Sequence, residues 1–161
     1  MINRFGQISH IVPVLTPIDK TTAAFNTALV DMANAHRCTF IVHFGVLTSA
    51  SASPTITMLA ATGGATTSAT AIAFKYRKSA TLLTDTQGAI TDATSAGVLT
   101  TTSDDGMIYL IDVDPSVVAG KTDGRYVYLH FDANANRSAC VVGICAEVEP
   151  RYIATSPTSV S

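Results

Sequence analysis

Between Arg37 and Leu47 every second residue is apolar: Cys38, Phe40, Val42, Phe44 and Val46 fall on one face of an extended chain. The opposite face, Thr39, Ile41, His43, Gly45 and Leu47, is mixed. A period of two with β-branched residues and two Phe predicts a strand, and the mixed back predicts a central one partly covered on both sides.

The same texture recurs along the chain. Thr55–Ala60 alternates, and Ala69–Lys78 places Ile72, Phe74 and Tyr76 inward with Lys75 and Arg77 outward. Met107–Val113 puts Met107, Tyr109, Ile111 and Val113 on one face, and Arg125–Phe131 does so with Val127, Leu129 and Phe131. Ala139–Glu147 is the last strand, ended by Pro150. Weaker strands are expected at Phe25–Met32, near Ala89–Thr91 and in Val98–Thr102. Gly63-Gly64, Asp104-Asp105-Gly106, Asp123-Gly124 and the polar Asp132–Asn136 are turn signals, and 49–53 reads as a Ser/Ala linker. Asp114-Pro115 followed by Gly120 carries the cap, first-turn proline and closing glycine of one short helix at 115–119. Seven to nine strands spaced about ten residues apart predict a single all-β domain: an antiparallel β-sandwich, jelly-roll-like, or a barrel.

The start of the chain differs. Pro13 and Pro17 each remove a ladder donor, which confines Ser9–Pro17 to an edge strand or an extended tail. The expected division is an extended arm at 1–20, a sandwich domain at 21–152 and a mobile tail at 153–161. Val12, Pro13, Val14, Leu15 and Pro17 are candidates for contact with a partner, or for covering the chain's own sandwich.

Charge bounds the partners. Only 14% of the 161 residues are charged, where about a quarter is usual, so part of the surface is expected to be covered by protein. The net charge is −2, and the densest basic stretch is Lys75, Arg77 and Lys78, whose alternation suits a wet strand face. That argues against nucleic acid, which wants Lys and Arg gathered on one surface. Those three residues are instead candidates for an acidic patch on a protein partner. No apolar run approaches the ~20 residues of a spanning helix, so no membrane partner is expected. The N-terminal residues lack a secretory apolar region, and Cys38, Cys140 and Cys145 lie in apolar strands. Cys140 and Cys145 point to opposite faces of one strand, so they cannot pair with each other. A reducing cytosol is the expected site of synthesis.

Catalytic chemistry finds no foothold in the pattern. His10, His36, His43 and His130 fit no metal-ligand spacing, and Asp112 with Asp114 lacks the acidic loop of a calcium site. No nucleophile elbow exists, and Glu147 with Glu149 reads as a pair of solvated edge charges. Asn136-Arg137-Ser138 matches a glycosylation acceptor without a secretory context. The expectation is a non-enzyme with no catalytic, cofactor-binding or metal residue.

Val12-Pro13-Val14-Leu15-Thr16-Pro17, Asp31–Ala35 leading into Thr39–Gly45, and Ala71–Ser79 occur in order along the chain. Asp104-Asp105-Gly106 with Ile111–Pro115, Arg125–Tyr128 and Glu149-Pro150-Arg151-Tyr152 follow. In that order and spacing the chain resembles small head structural proteins of tailed bacteriophages, the capsid decoration or cement proteins. The resemblance implies a virion protein on the capsid exterior, made in the host cytoplasm, that binds the major capsid protein and stabilises the head. It also implies association between copies, a trimer favoured over a dimer. A carbohydrate- or receptor-binding accessory module of a tail or fibre is the alternative; the absence of Trp tells against it, since sugar sites want aromatic platforms. A small hydrolase is the third reading.

Overall fold

The strongest strand of the sequence lies at the centre of the larger sheet. In a computed structural model, which describes residues 9–19, 23–48, 54–66, 68–121, 124–132 and 139–151, it is β4, Ala35–Thr48. The other strands are β1 His10–Asp19, β2 Phe25–Asn26, β3 Val30–Asp31, β5 Thr55–Ala61, β6 Ala69–Ile72 and β7 Phe74–Lys78. They continue with β8 Thr91–Ala93, β9 Val98–Leu99, β10 Ile108–Val113, β11 Tyr126–Phe131 and β12 Ala139–Pro150. The one α-helix among the described residues, α1, is Pro115–Ala119; Asp114 caps its N-terminus by accepting from the Ser116 amide at 2.8 Å.

The strands form two antiparallel sheets, β1-β12-β4-β10-β7-β8 and β2-β11-β5-β6, with β3 also on β11 and β9 on β5. The pairing is nested. The first strand lies on the last, β2 and β3 on β11, β4 on β10, and β5 on β6. Nested antiparallel pairs divided between two facing sheets make a jelly roll, with β7 and β8 as an added edge. Among the described residues no closed barrel forms. The strands also outnumber the seven to nine expected, because the arm itself pairs as β1, Phe25–Met32 breaks into β2 and β3, and Ala69–Lys78 breaks into β6 and β7.

That second break is a sheet crossing. Met58↔Ile72 pairs β6 into the smaller sheet, while Asp112↔Lys75 pairs β7 into the larger one, and only Ala73 separates them. Ile72 and Phe74 both bury, so the expected inward alternation holds although its two halves belong to different sheets.

Between the sheets lie Phe40, Val42 and Phe44 of β4, Ile56 and Met58 of β5, and Val127, Leu129 and Phe131 of β11. Phe25 stacks on Phe131 at 4.6 Å between centroids, and Phe44 meets Tyr109 edge-on at 5.7 Å. Each such buried aromatic adds about 2–3 kcal/mol of apolar burial.

Val46 corrects the expected face of β4. It is 48% exposed while Leu47 is buried. Phe44 pairs with Val142 but Leu47 with Cys140, so β4 carries one residue more than β12 across that step. This bulge turns the last residues of β4 over. Outside the described residues lie the linker at 49–53, Asp123, most of the Asp132–Asn136 connection, the 136–138 acceptor, the tail at 153–161, and residues 1–8 of the arm.

Candidate functional site

The part of the arm from His10 to Asp19 lies along β12 of its own chain. Pro13 pairs with Cys145 and Leu15 with Ile144, so Val14 is an extra residue squeezed out of the ladder. The squeezed residue turns into the core, where Val14 is buried, and its carbonyl accepts from the Ala28 amide at 2.9 Å. The candidates therefore divide: Val14 is core, Val12 and Leu15 are half-buried, and Pro13 and Pro17 face solvent. Both prolines sit on an edge strand, where a missing amide costs least.

The basic trio divides as well. Lys75 and Arg77 point outward, pairing in register with Asp112 and Leu110. Lys78 turns the other way and donates to Asp104 at 2.6 Å, with its ammonium 5.8 Å from the Tyr109 ring centroid. Lys78 is thus tied to a buried acid and is not part of a basic strip.

Outward side chains of the larger sheet fall in rows. One row runs Ile11, Glu147, Thr39, Asp112, Lys75, Asp92, each the cross-strand partner of the next. It is polar beyond Ile11, and two of its three carboxylates, Asp112 and Asp92, are in ion pairs. Asp112 accepts from Thr39 at 2.8 Å and from Arg37 at 3.0 Å, and Lys75 pairs with Asp92. The neighbouring carboxylates hold the Arg37 guanidinium above its ordinary value, chiefly through the hydrogen bond to Asp112.

The adjacent row runs Pro13, Cys145, Ile41, Leu110, Arg77. Its first four members are apolar or nearly so. Pro13 is exposed and the other three are half-exposed. A jelly-roll sheet that faces water ordinarily carries polar residues at such positions. Arg77 closes the row with its Nε buried and without a hydrogen-bond partner. Ile11, 52% exposed, extends the apolar surface sideways.

Sequence reasoning named the ends of this surface, Pro13 and Arg77, but missed its middle. The signal was present: Ile41 and Leu110 are apolar residues on the back faces of two strands whose fronts already fill the core.

At the corner where β6 passes into β7 there is a separate open groove of about 750 Å³. Phe74, Ala93, Val113 and Val117 form its floor; Asp92 and Lys121 stand on its rim. Its aromatic residue, Phe74, is only 6% exposed and offers no free ring face for a sugar to stack on. Of the acids weighed from sequence, Asp112, Glu147 and Glu149 meet in one small pocket, but Arg37 and Arg77 line it with them. Asp114 caps α1, Asp112 serves Arg37 and Thr39, His43 is exposed, and His130 meets Asn26 at 2.7 Å. Among the described residues no three metal-ligating side chains converge, and no helix is long and apolar enough to cross a membrane.

No protein-family model, curated protein or solved structure matches the chain. The phage resemblance therefore rests on the residues quoted for it.

Proposed function

We propose that the protein is a structural component of a phage head that binds the outer surface of the capsid and stabilises the shell. The observation that carries this reading is the apolar row Pro13-Cys145-Ile41-Leu110 on the outward face of the larger sheet, bordered by a row of charged residues largely paired with one another. Apolar residues gathered in one partly exposed row suit a surface meant for another protein. Low overall charge and an edge strand blunted by two prolines support the same reading, since both let the domain pack flat without recruiting a stray strand. A cement protein needs only a modest contact per copy, because many copies act together on one shell.

The test is composition and binding. Particles purified from the phage that encodes this chain should contain it stoichiometrically. Purified protein should co-sediment with capsids that lack it, and Leu110→Asp or Ile41→Asp should remove that co-sedimentation while the folded spectrum persists. Particles with no copy of the chain would end the proposal.

A further inference from the structure

The apolar row of the larger sheet has a neighbour. Two residues along the strands from Cys145, Ile41 and Leu110 stand Gly143, His43 and Ile108, on the same outward face. The register sets them side by side, Gly143↔His43 and His43↔Ile108. Pro17 of β1 closes this second row, since a Cβ added to Gly143 would meet the Pro17 Cγ at 3.1 Å. Pro17 and His43 are exposed, and Gly143 and Ile108 are half-exposed. His43 is thus a titratable base set among apolar residues near the middle of the sheet. Its flanking residues are Gly143, Cys145 and Val141 from β12, Ile108 and Leu110 from β10, and Ile41 and Gly45 from its own strand. The charged groups stand further off. Glu147 and Asp112 lie two rows away, about 13 Å along the strands. Asp19, the partner of Val141, accepts from the Cys140 amide at 2.8 Å. Arg77 ends the first row, Lys78 is held by Asp104, and Asp105 lies in the turn three residues before Ile108. Among the described residues His43 is in no ion pair.

We propose that this second row belongs to the capsid contact, that the patch it meets is apolar and carries no acid, and that His43 makes docking acid-sensitive. The inference rests on the sheet's outer face being the capsid contact. A patch matched to the face as a whole is apolar here, because a carboxylate placed over His43 would also lose its water to Ile108, Ile41 and Leu110. An imidazole changes charge between about pH 5 and 8. In its neutral form it is covered at modest cost, with interfacial water serving its ring nitrogens. Once protonated it is a cation that must leave water with no carboxylate to receive it, and Arg77 on the same face adds a like charge. The bound state therefore excludes the proton that the free chain takes up, so docking weakens as pH falls through the imidazole range.

The test is a co-sedimentation titration of the purified full chain on capsids that lack it, at about pH 7.5 and about pH 5.5. Wild-type affinity should fall about 10-fold in acid, while the circular dichroism spectrum of the free chain stays the same. His43→Gln, at an exposed site and neutral at both pH values, should bind with the same affinity at both. That variant leaves every titrating group of the capsid in place, so a loss it abolishes belongs to His43. Wild-type binding that is equal at the two pH values or tighter in acid, or an acid loss that persists in His43→Gln, would overturn this proposal and leave the capsid reading standing. No binding at either pH would end both.

Discussion

Lys78 donates to Asp104 across 2.6 Å, yet the two ends of this ion pair live in different media: the acid is 1% exposed and the lysine side chain 45%. The Thr101 amide donates to the other carboxylate oxygen at 2.7 Å. Burial pushes the Asp104 carboxyl up, but Lys78, the Thr101 amide and the Tyr109 hydroxyl outweigh it and hold the group below its ordinary 3.8.

The asymmetry predicts unequal losses. Asp104→Asn leaves a lysine that water can still reach, and should cost about 2 kcal/mol. Lys78→Met strands a buried carboxylate and should cost more, about 3 kcal/mol at neutral pH. The pH dependence has opposite signs. In the wild type the folded carboxyl has the lower pKa, so its stabilisation is complete above 3.8 and disappears as pH falls through that value to the folded one. In Lys78→Met the main lowering partner is gone and burial dominates, so the deficit should shrink as acid protonates Asp104. Urea unfolding at about pH 7 and about pH 3 measures both. Equal deficits for the two variants, or a Lys78→Met deficit that grows in acid, would contradict this account.

Thiol reactivity should separate the three cysteines. Cys38 and Cys140 are fully buried, and burial, followed by the charges of Asp112 and Glu147, pushes the Cys38 thiol up to about 12. A thiolate is the reactive form, so Cys38 should be silent in the native chain. Cys145, half-exposed in the apolar row, should take up one equivalent of a maleimide, and denaturant should release the other two. If the row is the capsid contact, labelling of Cys145 should be blocked on bound protein, as mass spectrometry of particle-associated and free chain would show.

Two left-handed positions should respond oppositely to substitution. Gly97 has a φ of +87°, and a Cβ there would meet the Ile56 carbonyl at 2.4 Å, so Gly97→Ala should cost about 2–3 kcal/mol. Leu83, at a φ of +56°, is 96% exposed and has little packing to lose. Relief of about 1–2 kcal/mol of strain, against about 0.5–1 kcal/mol of added chain entropy, should leave Leu83→Gly more stable than wild type. Thermal unfolding of the two chains reads the difference.

Much of the fold was legible because alternation and turn chemistry are local. The core faces of β10 and β11, the Asp114-capped helix and the inward set Ile72, Phe74 and Tyr76 all follow from neighbours in sequence. What alternation cannot reveal is where a strand changes sheets. Across Ala73 the inward residues stay inward, so the pattern passes the corner unbroken. Nor does it reveal partners far apart in the chain, such as Lys78 with Asp104, and without Asp104 the lysine looked like one more outward charge. The apolar row was hidden for a related reason. Its members come from four strands, β1, β12, β4 and β10, and only the register brings them side by side.

The end of β4 is where local reading failed most plainly, and it supplies a direct test. Strict alternation puts Val46 in the core and Leu47 outside; the bulge between Phe44 and Leu47 reverses the two. Gly45 marks the step, since a Cβ there would press on Val141 at 3.1 Å. Val46→Lys should therefore be tolerated, within about 0.5 kcal/mol of wild type. Leu47→Ala should cost about 2–4 kcal/mol, because it empties a buried site. Chemical denaturation of the two variants decides between the registers. If Val46→Lys unfolds the chain while Leu47→Ala does not, β4 runs without the bulge, and the strand meets β12 one residue out of step with the pairing described here.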